Sequence, residues 1–290
     1  MRGLNIFFKE RPLKMICFGF SSGLPILLVF STLSVWLVKA GINRSTITLF
    51  SWAGFAYAFK YLWSPLVDNY RLPILKEFGH RKSWLFLSQV LIIFALILTS
   101  FTDPQNNLFF TALFITLLAF FSATQDILID AFRIESAPQS LQGPLSSMYI
   151  AGYRIAMLVA GAGSLWLAAL LGTETYNQDV WKKVYLIMST FMLVGIFATI
   201  SSDEPKIRKN PKKDNHFKFL FTIFLAVISF ILLYSIINNP YERDDIFLSF
   251  VFSIARLIIC FIFAFFIINL LILTKFTSKQ KISQSYLSPI

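Results

Sequence analysis

The sequence predicts an all-α polytopic membrane protein, and three observations carry that prediction. Hydrophobic residues fill 56% of the 290 positions. Charged residues supply only 14%, well short of the roughly 25% usual in a soluble domain. The apolar positions also gather into runs of the length a bilayer crossing needs, about 20 residues. Thirty-three Phe and six Trp suit a lipid-facing surface better than a water-facing one.

Eight spans are expected: Leu13–Val38, Thr46–Leu66, Trp84–Phe101, Leu108–Ile129, Met148–Leu171, Val184–Ile200, Phe219–Ile237 and Phe247–Thr274. Met1–Lys14 reads as a short basic leader, and no small-residue cleavage site ends the apolar run after it, so the first span is expected to be retained. That span carries GFSSGLP (Gly19–Pro25) in its middle. Pro25 lacks the N–H that would bond to Ser21, so Gly23 and Pro25 mark an expected bend. The bend is either a packing kink or a place where freed backbone groups line a cavity.

The second span leads into YLWSPLVDNY (Tyr61–Tyr70), and GHRKSW (Gly79–Trp84) opens the third. The fifth carries GYRIA (Gly152–Ala156) and then AGAGS (Ala160–Ser164), where small residues allow close helix approach. Lys39–Ser45, Thr102–Asn107, Gly172–Lys183 and Asn238–Ile246 are short connections, which makes successive helices antiparallel neighbours. One longer polar stretch, SSDEPKIRKNPKKDN (Ser201–Asn215), separates six spans from two. The expected organisation is therefore a six-helix bundle over 1–200, a basic cytoplasmic linker over 201–218, two further helices over 219–274 and a polar cytoplasmic tail over 275–290.

The net charge of +11 invites a nucleic-acid reading, but its placement argues against one. Lys39, Arg44, Lys182, Lys183 and Arg243 fall in one set of loops, and Arg154 and Arg256 lie within spans. The other nineteen basic residues, Lys60 among them, fall on the opposite side. This is the positive-inside pattern; it sets both termini in the cytoplasm and adds some attraction to anionic lipid. Cys17 and Cys260 sit in apolar spans as packing residues, and His80 and His216 lie far apart, so neither a metal site nor a bound cofactor is expected.

The charges within or beside the spans are the best clue to function, because an ionisable group in hydrocarbon persists only where it faces a bundle interior or a wet cavity. The fourth span ends QDILIDAFRIE (Gln125–Glu135). Helical spacing places Asp126, Asp130 and Arg133 on one face, with Glu135 pointing elsewhere toward the interface. Asp130 beside Arg133 reads as a structural pair. Asp126 is the candidate proton or substrate residue, since removal from water favours the neutral carboxyl. A charge network that only locks the helix end is the alternative. Arg154 is placed to reach Asp126 across the bundle or to hold an anionic carboxylate in fork geometry. Asp68 can cap a helix or pair with Arg81 or Lys82; the plain alternative is a solvated helix end. Arg256 has no acidic residue in its own span to partner it.

Six spans before a basic linker resemble the organisation of the major facilitator superfamily, whose complete members carry a second bundle of six. The resemblance implies that Asp68, Arg81 and Lys82 form that superfamily's cytoplasmic latch, here stretched by an insertion. GFSSGLPILLVFSTLSVWL (Gly19–Leu37), YLWSPLVDNY (Tyr61–Tyr70), FSATQDILIDAFRIE (Phe121–Glu135) and GYRIAMLVAGAGSLWLA (Gly152–Ala168), taken in order, resemble the AmpG family of muropeptide permeases over roughly Met1–Pro205. That resemblance implies a secondary transporter of the bacterial inner membrane, importing anhydro-muropeptides for cell-wall recycling, with Arg154 and the nearby Gln125 and Tyr153 as partners for the carboxylated sugar-peptide. The coupling ion would be the proton, and no cofactor is needed.

The chain reads as truncated after about eight spans. Two copies pairing as a homo-oligomer, association with a full-length paralogue, and a transport-inactive remnant are the readings that follow. A transporter of another anionic metabolite keeps the fold and changes the cargo. A membrane enzyme is disfavoured, because the loops lack a His, Asp-rich or Cys/Ser nucleophile centre.

Overall fold

The computed structural model describes residues 10–73, 76–172, 175–205, 216–237, 240 and 246–273. Most of the expected linker and the whole of the expected tail lie outside the described residues. Among the described residues the secondary structure is helical, without a strand: α1 (Glu10–Val29), α2 (Ser31–Lys39), α3 (Arg44–Leu49), α4 (Gly54–Ala58), α5 (Ser64–Asn69), α6 (His80–Ser100), α7 (Leu108–Ser136), α8 (Gln139–Leu158), α9 (Ser164–Leu170), α10 (Gln178–Phe191), α11 (Leu193–Ser201), α12 (His216–Ile236) and α13 (Ile246–Leu273).

Among the described residues six stretches are long and apolar enough to cross a membrane: Glu10–Lys39, His80–Ser100, Leu108–Ser136, Gln139–Leu170, Gln178–Ser201 and Val251–Leu271. The expected seventh span coincides with α12. The expected second span is not one helix. It runs as α3, a 3-10 turn at Phe50–Ala53, α4, a second 3-10 turn at Lys60–Leu62, and α5. Thr48 and Ser51 turn their hydroxyls back onto the Arg44 and Thr48 carbonyls, a habit that bends helices. Pro65 removes a further backbone donor.

The first span breaks at Phe30 (φ −108°, ψ −82°), five residues beyond Pro25. Tyr185 donates to the Leu28 carbonyl at 2.9 Å beside this break. A π-helical turn at Val159–Gly163 joins α8 to α9. Its widened ladder leaves carbonyls to be satisfied from elsewhere. The Ala160 carbonyl accepts from Thr32 of α2 at 2.7 Å and from Ser164.

Contacts group the chain into two units, Met1–Lys60 with Tyr70–Lys209, and Tyr61–Asn69 with Asn210–Ile290. Within the first, α1 packs along α8 in the most extensive helix pairing and also meets α7 and α11, while α6 packs on α7 and α10. The apolar core is built from Leu24, Leu28, Leu33, Ile92, Leu96 and Leu118. Trp36 stacks on Trp181 at 5.9 Å and tilts against Tyr185 at 5.0 Å. The α1–α8 approach depends on glycine. A Cβ on Gly23 would sit 2.4 Å from the Tyr153 carbonyl oxygen, and one on Gly152 would sit 2.0 Å from that of Ile16. In membranes such backbone-to-backbone contact stands in for the missing hydrophobic drive.

Within the second unit, α12 packs against α13 and α5. Arg256 finds an aromatic partner in place of an acidic one: its guanidinium lies 3.6 Å from the Tyr234 ring centre, and Nε donates to the Tyr234 carbonyl at 3.0 Å.

Candidate functional site

Asp126 lies ten residues before the end of α7, about 15 Å along the helix axis. Its side chain is 13% exposed. Ser22 of α1 donates to Oδ1 at 2.5 Å, and the Ser22 hydroxyl also lies 2.8 Å from Tyr149 Oη of α8. The ammonium of Lys60 stands 4.0 Å from Oδ2, an ion-pair distance that is too long for a hydrogen bond. Tyr57, three residues before Lys60 along the segmented helix, brings a buried hydroxyl beside that of Ser122, one turn before Asp126, and neither bonds to a third group. Three separate elements around α7 thus converge on one carboxyl: α1, α8 and the segmented helix.

Gln125, one residue before Asp126, is rotated by about 100° around α7. It is fully buried, and its Nε2 lies 3.5 Å from Ser21 Oγ. Behind it, Thr199 of α11 donates to Gln89 Oε1 of α6 at 2.9 Å. Gln89 Nε2 and Gln125 Oε1 have no partner within this layer. Adjacent residues on α1 (Ser21, Ser22) and on α7 (Gln125, Asp126) therefore build two polar layers, one uncharged and enclosed, the other charged and partly reachable.

Arg154 does not reach Asp126. Tyr149 and Tyr153, one turn apart on α8, occupy the face toward the carboxyl, their rings 6.0 Å apart. The next residue is rotated by about 100°, which carries Arg154 onto an exposed face. Its nearest polar contact is Met157 Sδ at 3.7 Å. Asp130 and Arg133 do pair, at 3.4 Å, with Asp130 about half exposed. Arg133 also donates to Ser146 of α8 at 2.8 Å, so it fastens α7 to α8.

A second charged cluster closes the end of the bundle near the C-terminus of α7. Arg81 clasps Glu135 through Nε to Oε2 at 3.0 Å and Nη2 to Oε1 at 2.7 Å. Glu204 accepts from the backbone N–H groups of Arg81 at 2.8 Å and Lys82 at 3.0 Å, capping the first turn of α6, where the helix dipole favours an anion. Gly79 precedes that turn at φ 93°, and a Cβ there would collide with the Glu204 side chain. Arg11 donates to the last α7 carbonyl, Ser136, at 2.9 Å, and Lys14 donates to the last α11 carbonyl, Ser201. Asp68 lies on α5 in the other unit.

Lys60, Ser22, Tyr57, Tyr149 and Glu204 are the site and cluster residues that the sequence reading passes over, and Glu135, read there as an interfacial residue, is the partner of Arg81. Lys60 had a signal, since it stands within an otherwise apolar run. The others depend on helix rotation and carry no local mark. Elsewhere, an apolar cleft of about 360 Å³ lined by Leu49, Phe50, Trp52, Leu108, Phe109 and neighbours holds no charged side chain. Among the described residues no cluster of His, Cys, Asp or Glu could hold a metal ion.

The profile of the Major Facilitator Superfamily matches residues 15–288. Among curated proteins, "Putative transporter AmpG 4" of Rickettsia conorii is 37% identical over 248 residues, covering 79% of this chain and 58% of that protein. Its namesake in Rickettsia felis is 39% identical over 246 residues, covering 78% and 57%. The anhydromuropeptide permease of Escherichia coli K12 is 37% identical over 203 residues, covering 70% and 39%. The chain thus spans between 39% and 58% of the length of these relatives.

Proposed function

The chain belongs to the Major Facilitator Superfamily, and from that premise we propose that it is a secondary transporter that moves anhydro-muropeptides into the bacterial cytoplasm with protons. It lies in the inner membrane as a multi-pass protein with both termini cytoplasmic, as the loop charges favour. The observation that carries the reading is Asp126: a carboxyl inside a membrane helix, held by Ser22 at 2.5 Å and faced by Lys60 at 4.0 Å. Intramembrane carboxyls of this kind, paired and partly reachable, serve proton relays in transporters. The cargo class rests on the likeness to the anhydromuropeptide permease of Escherichia coli, and the work is transport with no chemical change to the cargo.

The test is uptake of radiolabelled anhydro-muropeptide into cells lacking their own permease and expressing residues 1–290. Uptake that collapses when the proton gradient is dissipated supports the reading. Stable insertion without uptake overturns it for this chain. A second reading, import of a different anionic metabolite, would show as competition by that anion with no muropeptide entry. Cross-linking in the same cells reads whether the working unit is one chain, a homo-oligomer or a complex with a longer paralogue.

A further inference from the structure

Building on the transport reading above, we infer that Lys60, and not Arg154, receives the anionic group of the cargo, and that Lys60 is released to do so when Asp126 takes up a proton. Lys60 is the cation that faces the site carboxyl. Its side chain is 19% exposed and that of Asp126 13%, so both are covered yet reachable. At 4.0 Å the ammonium is held by charge alone. Its three N–H donors make no hydrogen bond among the described residues. Its backbone begins a 3-10 turn just after Phe59 (φ −100°, ψ 10°), where the helical ladder is interrupted.

The surroundings are short of acceptors. Tyr57 Oη and Ser122 Oγ are buried beside one another with no hydrogen bond to a third group; one O–H can donate to the other, which leaves the second without an acceptor. Buried polar groups left unpaired are costly. A second carboxylate placed beside Lys60 would accept from the ammonium and from that second hydroxyl together. Such charge-assisted bonds are the strong ones.

The second carboxylate and an ionised Asp126 exclude one another. Two like charges sharing one ammonium in a poorly hydrated site repel, and one of them must be neutral. The other ionisable groups around Asp126 are Tyr57 on α4, Tyr149 and Tyr153 on α8, and Asp130 one turn along α7, which Arg133 already pairs. α1 offers the Ser22 hydroxyl. Lys60 is thus the group that both carboxylates would share. Reciprocity follows: protonation strengthens anion binding, and anion binding strengthens proton binding by the same factor. One anion would enter with one proton.

The test uses the full chain in lipid nanodiscs, with binding measured at acidic and alkaline pH. The probes are anhydro-muropeptide, the same compound with its carboxyls amidated, and plain carboxylates such as gluconate. Asp126→Asn is compared with Asp126→Asn/Lys60→Ala, because both lack the buried negative charge and neither strands it. Wild type should bind carboxylate probes more tightly at acidic pH, and Asp126→Asn should bind them equally at both. The double variant should bind them about tenfold more weakly, while the amidated probe should not distinguish the two variants. Arg154→Gln should bind as wild type does.

Equal carboxylate affinity in the single and the double variant overturns the inference. So does a tenfold loss in Arg154→Gln, or the absence of any carboxylate binding by wild type at acidic pH. If gluconate binding depends on Lys60 while anhydro-muropeptide does not bind, the inference stands and the muropeptide reading falls.

Discussion

Arg81 and Glu135 meet in a two-pronged ion pair, Nε to Oε2 at 3.0 Å and Nη2 to Oε1 at 2.7 Å, joining the start of α6 to the end of α7. The side chains are 10% and 25% exposed. Both charges are therefore largely removed from water, and removing one strands the other. Glu135→Ala is expected to destabilise the protein by about 2 kcal/mol, read as a fall in thermal unfolding temperature in detergent. Arg81→Lys should recover only part of the loss of Arg81→Ala, because an ammonium cannot reproduce the fork. A full recovery by Lys would mean that charge alone holds these helix ends.

The α1–α8 seam makes a sharper steric prediction. Gly152→Ala places a methyl group 2.0 Å from the Ile16 carbonyl oxygen, and backbone cannot step aside without moving a whole helix. The expected cost is about 1–3 kcal/mol, with loss of the monodisperse peak on size-exclusion chromatography. Gly143→Ala, on the same helix but with nothing beyond its chain neighbours near its Cβ, should leave that peak intact.

The spans at α1, α6, α7, α8 and α10 are legible in the sequence because apolar run length reads directly as a bilayer crossing. Hydrogen-bond continuity is not written in apolar content. Thr46–Leu66 therefore looks like one span, and only Pro65 hints at the breaks. Asp126 and the Asp130–Arg133 pair are legible because helical spacing fixes neighbours on one helix. Residues that meet across helices are harder to read. Which of Ser21 and Ser22 meets a carboxyl depends on the rotation of α1, and that rotation is set by glycine contacts with α8. The same rotation argument explains Arg154: a charge inside a span draws attention, yet Tyr149 and Tyr153 hold the inward face of α8. Lys60 was within reach, since an ammonium in an apolar run asks for a partner. Counting it with the loops hides that question.

Asp126→Asn tests the proton step itself. The amide keeps the shape of the site and can still meet Ser22, but it carries no exchangeable charge. Proton-driven accumulation of cargo should be lost, while equilibration of labelled cargo across the membrane persists. The check is uptake by proteoliposomes with and without an imposed pH gradient. Accumulation at wild-type level would remove Asp126 from the mechanism.

Ala160, in the π-helical turn, gives a local stability prediction. Its carbonyl accepts from Thr32 Oγ1 at 2.7 Å, and Thr32 Oγ1 also lies 3.1 Å from Ser164 Oγ. Thr32→Val keeps the side-chain shape and removes that donor. About 1 kcal/mol should be lost, and hydrogen exchange should quicken around Val159–Gly163. An unchanged exchange pattern would mean that Ser164 alone holds the turn.

Tyr176 and Asp103 tie two connections together at the end of the bundle away from Glu135. Tyr176 Oη donates to Asp103 Oδ1 at 2.6 Å. Burial, and then the hydrogen bond to Asp103, raise the phenol above its ordinary value of 10. The folded protein therefore keeps this proton where the unfolded chain has begun to lose it. The sign follows: the contribution is complete below pH 10 and declines as pH climbs through the raised folded value. Tyr176 is partly exposed, so solvent screening limits the contribution to about 1 kcal/mol at most. Tyr176→Phe should lower stability at neutral pH and flatten its decline on the alkaline side. Chemical denaturation at stepped alkaline pH values reads both effects. If the decline is as steep in the Phe variant as in wild type, another group sets the alkaline limit.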